Sequence, residues 1–160
     1  MPDVVAETAV VQLEWREKDG SIVVTPRDGD RWVIRLNRAI EILGQSGKRE
    51  RFEHQTKLLQ KLLAEWINGH TGISSAYLTV RDGAFAFIIV RDTCEYDDEF
   101  EDELSALDLR IAEDPDLDLV ELNTLALPNI SAEALSSFLH PEFKVTFVHG
   151  DGSRSHSSGE

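Results

Sequence analysis

The residues of this chain with the most chemistry in them are carboxylates. Asp97, Asp98, Glu101 and Asp102 crowd one short stretch, and Asp116 and Asp118 follow in an Asp-Pro-Asp-Leu-Asp run. Carboxylates so placed could gather a divalent cation, act as general acids or bases, or meet a basic partner. A calcium loop would use Asp114, Asp116 and Asp118 as its first, third and fifth positions. It would then need glycine at the sixth position and glutamate at the twelfth, where this chain has Leu119 and Leu125. No metal or other cofactor is therefore expected. The six carboxylates Asp97, Asp98, Glu101, Asp102, Asp116 and Asp118 are read as a surface for a basic protein partner.

Basic groups gather earlier. Lys48, Arg49 and Arg51 follow a Gly-Gln-Ser-Gly loop and open a helix, where free backbone amides favour an anion. The spacing of a phosphate-binding loop is missing because Arg49 stands where serine or threonine should. A weak anion site is the most these three residues support. Cys94 is the sole cysteine, so neither an internal disulfide nor a cysteine-based zinc site can form. Nearby Asp92, Glu95 and Asp97 oppose the negative charge a nucleophilic thiolate would carry, and a buried or half-buried structural thiol is expected. His54 falls on the polar side of its helix, while His70 and His140 sit at helix ends, where positive charge is favoured. None needs a catalytic role.

The charge distribution sharpens this reading. Net charge is −14; residues 92–121 hold 14 acidic groups and one basic group, whereas residues 27–61 hold nine basic and five acidic. Such a field opposes nucleic acid and steers basic partners toward the acidic part. The expected function is a small cytoplasmic interaction module or adaptor with an acidic surface. The alternative is an enzyme, cation-dependent in one form, with a site made by Asp92, Glu95, Asp97 and Asp98 at the end of a central hairpin. Self-association is a third expectation. No apolar run is long enough to span a bilayer, and the first residues lack the pattern of a secretory signal.

The elements that would position these groups follow from periodicity. Residues 73–91 read as a hairpin turning at Asp82-Gly83, and its second arm, 84–90, is apolar on both sides, as in a strand covered on two faces. Residues 10–15, 21–25 and 31–36 are expected to form a three-strand meander, with a turn or two of helix over 37–43. Phe52, Leu59, Leu62, Leu63, Trp66 and Ile67 mark one amphipathic helix over 48–68; Phe100, Leu104, Leu107 and Ile111 mark a second over 97–112. A strand near 117–127, a short helix capped by Ser131 and a last strand over 143–148 complete the order βββαββαβαβ. This predicts an α+β domain over residues 1–149 with a single-layer mixed or antiparallel sheet, followed by a flexible tail over 150–160. None of the motifs is specific enough to name a family.

Overall fold

A computed structural model of the chain describes residues 9–16, 21–27 and 29–149. The expected tail over 150–160 and the turn near Lys18 lie outside the described residues.

The hairpin organises the sheet. Strands β3 (Ile73–Arg81) and β4 (Ala84–Arg91) pair antiparallel through Asp82 and Gly83, both at positive φ, 55° and 82°. Two consecutive left-handed residues give the mirror-image turn whose twist matches that of paired strands, which is why Asp-Gly occupies it. Every residue from Ala84 to Val90 is buried. Phe85, Phe87 and Ile89 face the main core, while Ala86 and Ile88 face a smaller cluster with Leu127. A strand covered on both sides needs no polar face, which accounts for its unbroken apolar sequence.

Helices α1 (Gly29–Ile42), α2 (Arg49–Asn68) and α3 (Asp98–Ala112) contribute to the main core on one side of the sheet. Among the described residues, the other side receives only the segment around α4 (Ala132–Ser136), through Ile130, Leu135, Phe138 and Leu139. With β1 (Ala9–Arg16), β2 (Ser21–Pro26), β5 (Leu122–Leu127) and β6 (Lys144–His149), the sheet runs β2-β1-β6-β3-β4-β5. β1 pairs parallel with β6 and β4 parallel with β5; the other pairings are antiparallel. Parallel neighbours need a crossover, and α3 supplies it between β4 and β5.

The general class is the one expected, a mixed open sheet with several helices, but the strand count and order differ. There is no third meander strand. Residues 31–36 belong to α1, whose buried residues Trp32, Leu36, Ala39 and Ile40 stand four, three and one apart, while Ile34 is 60% exposed. In a six-residue window the alternation of Trp32, Ile34 and Leu36 mimics a strand; only continuation to Ala39 and Ile40 reveals the helical period. β2 is therefore left at the edge of the sheet, and the other side of β1 is taken by β6, with Val11 opposite Phe147. The observed order is ββααββαβαβ. β5 also starts later than residue 117, because Pro115–Leu117 form a short 3₁₀ turn that buries Leu117.

Candidate functional site

β4 delivers the chain to the acidic stretch at one end of the sheet. Its last residue, Arg91, is held inward: Nε donates to the Gly72 carbonyl at 3.1 Å and the guanidinium lies 3.9 Å from the centre of the Phe100 ring. Gly72 has φ +79°, and a Cβ there would come within 3.1 Å of the arginine, so glycine is needed for this approach. Arg91 is 12% exposed and 3.9 Å from Asp97. Its guanidinium offsets part of the Asp97 charge, while the ring and the carbonyl it packs against keep it off the solvent-facing surface.

That surface is almost wholly anionic. Residues 92–103 hold eight carboxylates and no lysine or arginine. Asp97 caps α3, its Oδ1 accepting from the Phe100 amide at 3.1 Å, and it is otherwise exposed. Asp98 and Asp102 are exposed and Glu101 is half-buried on the same helix. Tyr96 stands among them, 74% exposed. Loss of hydration, then the charges of Asp98, Glu101 and Asp102, push its phenol above the ordinary tyrosine value, with a hydrogen bond to Asp98 adding to the effect. Glu103 turns the other way, toward α2, and lies 2.7 Å from His70 Nε2. His70 Nδ1 donates to the Trp66 carbonyl at 2.8 Å while the ring stacks on Trp66 at 3.8 Å. His70 thus fastens the end of α2 to α3, a terminal packing role.

The carboxylates Asp92, Glu95, Asp97 and Asp98, expected at a hairpin-end catalytic site, are all exposed. Among the described residues no three His, Cys, Asp or Glu side chains are disposed to hold a metal. Cys94 corrects its expectation: it is exposed, because the loop leaving β4 passes outside both core clusters.

Asp116 and Asp118 lie beyond the opposite end of α3, whose fifteen residues span about 22 Å. The six carboxylates therefore do not make one patch. Asp116 is exposed, its amide donating to Asp114 at 2.9 Å. Asp118 is bound down: Arg51 Nη2 donates to its two oxygens at 2.8 and 2.9 Å, and Gln55 Nε2 donates to Oδ1 at 2.7 Å. These bonds, the glutamine first, hold its carboxyl below the usual carboxylate range. Gln55, 5% exposed, also accepts the Leu119 amide at 2.8 Å, so one side chain fixes both the carboxylate and the backbone after it. An open furrow of about 610 Å³ runs past Arg51, His54, Gln55, Pro115 and Asp118.

The basic set does not converge. Arg51 is occupied by Asp118, Arg49 donates to Asn37 on α1, and Lys48 occupies the N-cap position of α2 without a side-chain capping bond. Two of the three residues expected around an anion instead tie α2 to its neighbours. Gln55 itself escaped sequence reading, although a signal was present. Gln55, Thr56 and Gln60 fall on the helical stripe between Phe52, Leu59 and Leu63, and all three are buried.

Comparison of the chain with protein-family models, with curated proteins and with solved structures returns no match. Among the described residues no helix is long and apolar enough to cross a membrane.

Proposed function

We propose that this chain is a binding module that receives a basic segment of another protein on the surface formed by Tyr96 and the first turns of α3. The observation that carries the reading is the exposed tyrosine ring set among Asp98, Glu101 and Asp102, with no lysine or arginine between residues 92 and 103. An aromatic face beside carboxylates suits an arginine side chain, which stacks on the ring while donating to the acids. Arg91, withdrawn against Phe100 and 3.9 Å from Asp97, offsets one charge and leaves the excess of carboxylates on this surface in place. Asp116 and Asp118 lie away from this surface and take no part. A cytoplasmic setting belongs to the same proposal, supported by the solitary cysteine.

Calorimetric titration with an arginine-rich peptide, at low and then moderate salt, tests the reading. Binding should weaken as salt rises, and Tyr96→Ala combined with Asp98→Asn should weaken it about tenfold. Binding that ignores both salt and the double substitution overturns the proposal.

A further inference from the structure

β5 is the last strand of the sheet, and among the described residues nothing pairs with its outer edge. Its sequence, Leu-Asn-Thr-Leu-Ala-Leu, contains no charge and no proline, two of the devices that usually protect an edge from further pairing. The direction of its free backbone groups follows from the ladder. Phe85 N donates to the Glu121 carbonyl at 2.9 Å, so in this parallel pair residues 121, 123, 125 and 127 turn their amide groups toward β4. Leu122, Thr124 and Ala126 turn theirs outward. Among the described residues, none of these three N–H or three C=O groups has a hydrogen-bond partner.

What lies beside the edge selects the occupant. α3 packs over β5, and Glu103 marks the flank of that helix turned toward His70 and α2. At 100° per residue, Glu101, Ser105, Asp108 and Ala112 occupy the opposite flank, above the free side of β5. Glu101 and Asp108 are both half-buried, and desolvation raises the Asp108 pKa. A second copy docking edge to edge would bring these two carboxylates against their own counterparts. An extended segment with basic side chains would meet them with opposite charge.

We infer that β5 accepts an extended basic segment as a seventh strand, its backbone bonded to Leu122, Thr124 and Ala126 and its lysines or arginines reaching Glu101 and Asp108. Period-two alternation then defines the ligand. Residues on the α3 side are basic. Those between them are apolar and lie beside Leu125 and Leu127, on the face that carries α4. This rests on the proposed preference for a basic partner and adds the manner in which the partner is held.

The experiment is a titration of the full chain with a capped nonapeptide alternating lysine and valine, read by amide hydrogen exchange and by affinity. Expected are slowed exchange at Leu122, Thr124 and Ala126, and about tenfold weaker binding by Thr124→Pro, which removes an outward donor while sparing the bonds to β4. If that variant is poorly folded by circular dichroism, Glu101→Gln with Asp108→Asn leaves the strand intact and should weaken binding to a similar degree. Binding that leaves the three amides unprotected overturns the inference. So does concentration-dependent self-association in sedimentation that Thr124→Pro abolishes, since the edge would then belong to a second copy. If salt-sensitive binding persists in Thr124→Pro but is lost in Tyr96→Ala with Asp98→Asn, strand addition fails while the acidic binding surface stands. No salt-sensitive binding at all removes both.

Discussion

The two ends of α3 carry the same kind of side chain and treat it in opposite ways. At the start of the helix Asp98 and Asp102 face water, and Arg91, 3.9 Å from Asp97, is drawn inward against Phe100. Beyond its end, Asp118 is grasped by Arg51 and Gln55 and used to dock the following loop onto α2. The difference shows that an acidic run in a sequence is not one feature. A carboxylate supplied with fixed donors, here the buried Gln55 and the exposed Arg51, becomes part of the fold, and one left without them is free to act on the surroundings. Substitutions at the two ends should therefore separate stability from binding.

The largest expected effect is at the fastened end. Gln55→Leu removes the donor to Asp118 and leaves the Leu119 amide without its acceptor. An unsatisfied backbone donor and the lost bond should together cost about 1–3 kcal/mol, measured as a shift of the urea midpoint. Peptide binding at Tyr96 should be unchanged. A loss below half a kcal/mol, on the order of an ordinary surface substitution, would mean that the loop holds itself in place and that the two ends differ less than their geometry implies.

Next comes a carboxylate at the open end with a structural duty. Asp97→Ala removes the cap from the Phe100 amide and should cost about 1 kcal/mol. Asp98→Asn, at the next residue, and Asp102→Asn, a turn further on, should leave the denaturation midpoint almost unmoved while weakening a basic peptide. If all three substitutions destabilise alike, the acidic turn is structural throughout and the contrast between the ends disappears.

A pH titration sharpens the same contrast. The Asp118 carboxyl is depressed in the folded chain, so below the ordinary carboxylate range the unfolded chain binds the additional proton. Its stabilising contribution is complete above the unfolded pKa and is lost as pH falls through the lower folded value. Wild type should therefore exceed Asp118→Asn in stability at neutral pH, and the gap should close on acidification. Parallel curves for Asp118→Asn and wild type would break the account of Gln55 and Arg51 as its donors.

The parts of this architecture legible in the sequence are those made by neighbours along the chain. The 73–91 hairpin was readable because Asp-Gly can occupy two left-handed positions, and α2 and α3 because their apolar residues repeat over several turns. α1 was not, since six residues around Ile34 satisfy both periods and the helix declares itself only at Ala39 and Ile40. The pairing of β1 with β6 joins opposite ends of the chain, and no local pattern specifies it. The same limit divided the candidate site. Asp97 could be placed at the start of α3, but the bond from Gln55 to Asp118 crosses 63 residues, and only its burial on the α2 stripe hinted that Gln55 had a partner. Sequence alone places Arg51 and Asp118 on different surfaces, a basic one and an acidic one, and in the folded chain they neutralise each other.

The smallest effect concerns Asp108, which lies between the two regimes along α3. It is half-buried, and desolvation raises its pKa, so the folded chain favours the protonated form. For a group shifted in this direction, the stability it confers is fully present below the unfolded pKa and lost as pH rises through the folded value. At neutral pH its ionised form opposes folding, and its place toward the C-terminal end of a helix adds to that cost. Asp108→Asn should therefore raise neutral-pH stability by at most about half a kcal/mol, given solvent screening, and the gain should vanish in acid. The same substitution should weaken an alternating basic peptide at β5. Stability and binding moving in opposite directions would identify Asp108 as a charge retained at the expense of the fold, as expected of a group that serves a partner. If both fell together, Asp108 would belong with Asp118, among the carboxylates that hold the molecule together.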